Sequence, residues 1–145
     1  MNKDKIYLAS DHGGYLIKRH IASFLLKEGY DVIDLGPDSE DSVDYPDYAH
    51  KLAQTIGENG RGVAICGSGI GISIALNRHL NVRAALCHNV DMAVLSRLHN
   101  NANVCVLPGR FVSLMQSEAI VHAFLNGIFE GGRHNQRIDK INQIE

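Results

Sequence analysis

Apolar residues in this chain come in short runs that alternate with stretches of helical spacing. Lys5 to Ser10 is a strand-like run, broken by Asp11-His12-Gly13-Gly14. From Tyr15 to Lys27 the apolar positions Leu16, Ile17, Ile21, Phe24 and Leu25 recur with a helical period, and Gly29 supplies a stop. Asp31 to Leu35 predicts a second strand. Gly36 to Asp47 is a polar, acidic loop. Pro46 stands where a first helical turn begins, and Tyr48 to Ile56 continues as helix. Val63 to Cys66 then predicts strand and Ile70 to Leu80 helix. Val82 to Cys87 and Asp91 to Leu98 form the next such pair, and Asn103 to Leu107 and Ser113 to Leu125 the one after. Beyond Gly131-Gly132 a last helix runs from about Asn135 to Ile144, read here as an apolar surface for association.

Short strands alternating with longer helices predict an α/β fold. The expected form is a three-layer α/β/α Rossmann-like sandwich around a five-stranded parallel sheet, with right-handed crossovers. No internal repeat or linker divides the chain, so residues 1–145 are expected to form one domain. The strand order at the far edge of the sheet is left open. In such sheets ligands bind beyond the C-terminal strand ends, at a switch in strand order. That rule gathers Ser10–Gly14, Cys66–Ser73, His88–Asp91 and Pro108–Arg110 on one edge.

Composition narrows the function classes. The 145 residues are 45% hydrophobic and 21% charged, with a net charge of −2, which argues against general affinity for nucleic acid or an anionic membrane. No 18-residue apolar stretch and no basic-then-apolar N-terminus occur, so neither a transmembrane helix nor a secretory signal is expected. Cys66, Cys87 and Cys105 are odd in number and widely spaced. They predict no disulfide or zinc knuckle, and a reducing, cytoplasmic setting.

The candidate chemistry centres on Cys66-Gly67-Ser68-Gly69-Ile70-Gly71-Ile72-Ser73. Ile72 occupies the place of the third glycine in a dinucleotide fingerprint, and no Lys-Ser or Lys-Thr follows, so neither nucleotide motif is present. What remains is a tight turn or a cradle of backbone N–H groups for an anion or oxyanion. Cys66 just before it is either a buried strand end or a thiolate favoured by the helix N-terminus. Asp11 and His12 either cap a turn or face a ligand. His99-Asn100-Asn101 suits a helix C-terminus. Arg133 and Arg137, four apart with His134 beside Arg133, place two cations near a helix N-terminus, a conflict that a bound phosphate relieves. Arg110 can join them. No His-x-x-x-His or Glu-x-x-His pair occurs on a helix, so no metal site is expected.

Five motifs in register cover almost the whole chain: Asp11-His12-Gly13-Gly14, Asp44-Tyr45-Pro46, Cys66 to Ser73, His99-Asn100-Asn101 and Gly132 to Arg137. Together they resemble the ribose-5-phosphate isomerase B family, within the ribose/galactose isomerases. The resemblance implies metal-independent interconversion of D-ribose 5-phosphate and D-ribulose 5-phosphate through an enediolate, a step of the pentose phosphate pathway that needs no cofactor. It implies a homodimer whose active sites draw on both chains, with pairing into tetramers left open. It assigns Cys66 as the base between C1 and C2, Ser68 as a proton relay, and His99 and Asp11 to ring opening. The backbone at Gly67, Gly69, Gly71 and Ser73, with Asn100, would stabilise the enediolate. Tyr45 joins the substrate-binding set, and His12, Arg110, Arg133, His134 and Arg137 match the phosphate-binding residues. A second branch of the family carries a glutamate where Ile72 stands here, which places this chain in the cysteine branch. A hexose 6-phosphate (allose or galactose) substrate and a non-catalytic sugar-phosphate-binding module are the alternatives.

Overall fold

The computed structural model describes residues 4–144. The strands are β1 (Lys5–Ser10), β2 (Asp31–Asp34), β3 (Arg61–Cys66), β4 (Ala84–Leu86) and β5 (Val104–Pro108). The helices are α1 (Tyr15–Lys27), α2 (Tyr45–Ile56), α3 (Ile70–Leu76), α4 (Val90–Asn100), α5 (Leu114–Asn126) and α6 (Arg133–Ile141), and a 3-10 turn spans His12–Gly14. All strand pairs are parallel, in the order β2-β1-β3-β5-β4.

Side-chain alternation along the strands divides the core in two. Ile6, Leu8, Val63, Ile65, Cys105 and Leu107 pack with α1, α4 and α5. Ala9, Ala64, Cys66, Val104 and Val106 pack with α2 and α3. This is the expected three-layer sandwich. Each fully buried Leu or Ile contributes about 1.5–3 kcal/mol by leaving water. No helix among the described residues is long and apolar enough to cross a membrane.

β1 and α1 keep their predicted bounds. Other elements shift for local reasons. Helix α2 starts at Tyr45 because Asp44 is extended and Pro46 fits the first turn. Helix α3 stops at Leu76, short of the predicted Leu80. The Asn77 side chain there accepts from the Ala84 N–H at 2.8 Å and donates to the Ala84 carbonyl at 3.0 Å, so it pairs with β4 like a neighbouring strand. Strand β4 is shorter than expected because the Asn103 side chain takes the Arg83 N–H at 2.8 Å in place of a ladder bond. The last helix spans Arg133–Ile141 rather than Asn135–Ile144. Only His134 is buried in α6, and Ile141 is exposed.

The β2–α2 loop is fastened by a buried cation. Lys18 of α1 is wholly buried, and its Nζ donates to Asp34 Oδ1 at 2.7 Å and to the Pro37 carbonyl at 2.6 Å. The same Asp34 oxygen accepts the Gly36 N–H at 2.9 Å, and Ser10 donates its N–H to the Gly36 carbonyl at 3.1 Å. A buried ammonium persists only where its donors are met. Asp34→Ala removes the counter-charge of Lys18 and should lower stability by about 2–4 kcal/mol in urea unfolding, a loss moderated because Asp34 is partly exposed. Adding Lys18→Met should recover part of it. An unchanged Asp34→Ala midpoint would contradict this reading.

Candidate active site

Strand order reverses between β1 and β3. From β1 the chain crosses to β2 on one side, and β3 pairs with β1 on the other. The loops after these two strands diverge and leave a crevice between them. Cys66 ends β3 there, buried but at the edge of the sheet. The insertion of β5 between β3 and β4 brings a third loop beside it: Gly109 donates to the Cys66 carbonyl and Arg110 to the Gly67 carbonyl, both at 2.9 Å. The Arg110 side chain lies over Gly67, with Nε 3.2 Å from where a β-carbon would stand, so a side chain there would push the guanidinium aside.

The glycine loop is rigidly shaped. Gly69 caps α3 in the left-handed region (φ 75°), and the Ser68 hydroxyl accepts the Ile70 N–H at 3.1 Å. Ser73 donates its N–H to the Gly69 carbonyl at 3.2 Å, the first bond of the helix, so this N–H is not free for the enediolate, contrary to expectation. The first turn of α3 leaves the N–H groups of Gly71 and Ile72 without an intrahelical acceptor. Tyr45 covers this turn: a β-carbon on Gly71 would lie 2.5 Å from Tyr45 Cζ.

Asp11 and His12 face the same crevice from β1, and a β-carbon on Gly13 would lie 3.7 Å from the Gly67 nitrogen. Asp11 Oδ1 accepts the Gly14 N–H at 3.1 Å, so the capping role is realised. His12 Nδ1 accepts the Val43 N–H at 3.1 Å. A nitrogen that accepts carries no proton, so the neutral ring holds its proton on Nε2, the nitrogen left for a ligand. Val43 and Lys18 carry no motif, which is why the sequence does not reveal the loop's part in holding His12.

The structure does not bring His99, Asn100, Arg133, His134 and Arg137 to this crevice. Gly62 is level with Val104 in the sheet, and Asn103 before it donates its N–H to the Arg83 carbonyl. Arg83 Nε in turn donates to the Asn101 carbonyl at 2.9 Å. The end of α4 therefore sits by the strand beginnings, at least roughly 13 Å from Cys66 along the strand direction at the usual rise per residue. The eleven residues of α4 span about 16 Å, the length that carries the chain from one edge to the other. His88–Asp91 lies at the end of the outer strand β4.

The far group is itself organised. His99 in the last turn of α4 stacks on His134 in the first turn of α6, with ring centroids 4.5 Å apart and planes 18° from parallel. His134 is buried, and its Nε2 lies 3.4 Å from Glu130 Oε2. Arg133 and Arg137 are exposed beside it. Glu130 is a residue the sequence reading missed; its signal is an acid four positions before His134. Ligand atoms of His99, Glu130 and His134 come within 4.8 Å of one another, a cluster the sequence did not suggest. An imidazole binds an ion in its own ring plane. Two nearly parallel, stacked rings cannot both do so for one ion, and the cluster fits a metal poorly.

Comparison with known proteins bears on this arrangement. The profile of the Ribose/Galactose Isomerase family matches residues 6–141. Ribose-5-phosphate isomerase B of Escherichia coli strain K12 is 43% identical over 143 residues, covering 97% of this chain and 96% of that protein. The crystal structure of a ribose 5-phosphate isomerase from Thermotoga maritima superposes with a TM-score of 0.94 at 49% identity, covering 97% of this chain and 98% of that one. The Mycoplasma genitalium ribose-5-phosphate isomerase B structure with bound ribulose-5-phosphate gives a TM-score of 0.92 at 41% identity, covering 97% and 95%.

The three thiols differ in setting. Cys87 and Cys105 have no exposed surface in the α1/α4/α5 layer; the hydrogen bond between them, with burial, pushes the Cys105 thiol well above its ordinary range and lowers that of Cys87, which burial keeps from reagent. Limiting iodoacetamide should therefore modify Cys66 first, with Cys87 and Cys105 labelled only on unfolding, as read by peptide mass spectrometry. Labelling of Cys105 ahead of Cys66 in the folded protein would contradict the placement.

Proposed function

This chain belongs to the ribose/galactose isomerase family, and on that premise we propose that it interconverts D-ribose 5-phosphate and D-ribulose 5-phosphate. The observation that carries the reading is the thiol of Cys66 set against a glycine loop of backbone donors, with Arg110 and His12 on the same edge.

The chemistry follows from that placement. A C–H proton beside a carbonyl is weakly acidic, and its removal needs a base near operating pH and stabilisation of the oxygen that gains charge. Cys66 Sγ takes the proton from C2 of the open-chain aldose. The electron pair moves into the C1–C2 bond, and the aldehyde oxygen becomes the enediolate oxygen. The loop's uncommitted backbone N–H groups, those of Gly71 and Ile72 among them, face that charge. The Ser68 hydroxyl passes a proton between O2 and O1. Cys66 returns its proton to C1, and the ketose results. Electrons and protons balance within the substrate, so the reaction calls for no redox partner. Asp11, whose Oδ1 is already used by Gly14, has Oδ2 for a sugar hydroxyl. Tyr45 closes the side of the loop. His12 and Arg110 hold the phosphate and so orient C1 and C2 toward Cys66.

The ring-opening residue His99, with Asn100, Arg133, His134 and Arg137, then comes from a second copy of the chain. The separation of the two groups along the sheet supports a homodimer with shared sites. A groove of about 710 Å³ beside Asn100, lined by Leu80, Val82, Ala84 and Ile141, supplies a surface for the second copy. Ile70 and Ile74 also lie exposed along α3. The setting is the cytoplasm, and the chain acts as a single domain.

Steady-state kinetics test the reading. Wild-type protein should turn over ribose 5-phosphate well above allose 6-phosphate and galactose 6-phosphate. Cys66→Ala should lower kcat by about 10²–10⁴-fold with KM nearly unchanged, the signature of a lost proton-transfer group. Undetectable ribose 5-phosphate turnover beside robust hexose turnover would move the assignment to a hexose phosphate. A Cys66→Ala variant that kept most of its kcat would refute the base.

A further inference from the structure

Glu130 stands outside the roles described so far, yet the fold fixes it with care. Arg97 of α4 donates from Nε to the Gly127 carbonyl at 3.4 Å, and Glu130 donates its own N–H to the Leu98 carbonyl at 3.1 Å. The segment between α5 and α6 is thus laid across the last turn of α4, next to His99. Beyond Glu130 the chain turns at Gly131-Gly132, and His134 donates its N–H to the Gly131 carbonyl at 3.2 Å. This turn brings the His134 ring back against His99 and within 3.4 Å of the Glu130 carboxylate.

His134 is an unusual residue to bury. Its Nε2 is a buried side-chain atom with no hydrogen bond, and the carboxylate it faces is Glu130 at 3.4 Å. Glu130 is half exposed, so a small rotation of its side chain closes that gap to an ordinary hydrogen bond. One face of the ring is covered by the His99 stack, and Phe129 lies tilted against it at 6.5 Å between centroids. Those contacts fix the plane of the ring, and the carboxylate that faces Nε2 is that of Glu130.

A histidine that binds a phosphate does so best as the imidazolium, which donates from both nitrogens. If one N–H goes to the phosphate, the other needs an acceptor in a place that water does not reach. We propose that Glu130 is a positioning residue for the substrate phosphate: it accepts the Nε2 proton of His134 and so turns Nδ1 toward the ligand, without touching the ligand itself. This rests on the reading that His134 belongs to the phosphate-binding set. The stack carries the same constraint to the His99 ring, whose orientation then depends on His134 being held.

The test uses ribose 5-phosphate as substrate and inorganic phosphate as competitive inhibitor of the intact enzyme. Glu130→Gln should raise KM and the phosphate inhibition constant together, by about three- to tenfold given the exposure of Glu130, with kcat within twofold of wild type. Glu130→Asp should restore most of the loss. His134→Asn should raise both constants as well, and the double variant should lose no more than His134→Asn alone, because Glu130 acts through His134. A purely structural role would instead lower kcat and add to the His134 effect. If Glu130→Gln changes neither constant while His134→Asn does, the proposal fails and the phosphate reading of His134 stands. If His134→Asn changes neither constant, that reading fails and takes the proposal with it.

Discussion

The parallel register of the sheet is the constraint on which everything else depends. Every strand runs the same way, so each loop that follows a strand lies on one edge and each helix end that precedes a strand lies on the other. Cys66 closes β3, whereas His99 and Asn100 close α4. No adjustment of side chains joins them within one chain. If both groups serve one site, as proposed, the backbone assigns them to two copies of the chain.

On the Cys66 edge, placement depends on contacts remote from the thiol. Inserting β5 beside β3 locks the Gly109–Arg110 backbone onto Cys66 and Gly67. Lys18 pins the start of the acidic loop, and the same loop's Val43 holds His12 in one tautomer. The loop that reads in sequence as a polar connection is thus part of the site's frame. The base proposed at Cys66 needs a fixed distance to its carbon, and these bonds hold the surrounding backbone in place. On the other edge the His99–His134 stack and the segment carrying Glu130 do comparable work for the second group.

Much of this was legible in the sequence where the signals are local. β1 and α1 were bounded correctly because a continuous apolar run gives way sharply to Asp-His-Gly-Gly and then to a helical period. The glycine loop and its cysteine were legible for the same reason: a strand end, a turn and a helix start are adjacent in the chain. What failed was decided across space. Helix α3 ended early because Asn77 found a partner in Ala84. The far strand order was open because a β-strand does not name its neighbours. The last helix starts at Arg133, two residues before its predicted start, where the chain turns at Gly131-Gly132. Lys18, Val43 and Glu130 carry no motif, and their importance lies in what they hold.

The claim that one site is built from two chains is open to direct measurement. Cys66→Ala and His99→Asn subunits, carrying different tags, can be produced together and the mixed dimers isolated. In a shared site, a mixed dimer holds one site with both lesions and one with neither. Each variant alone should show little or no turnover of ribose 5-phosphate, and the mixed dimer should recover about half of the wild-type rate per dimer. If each site lies within one chain, both sites of the mixed dimer are damaged. A mixed dimer no more active than its parents would contradict the account.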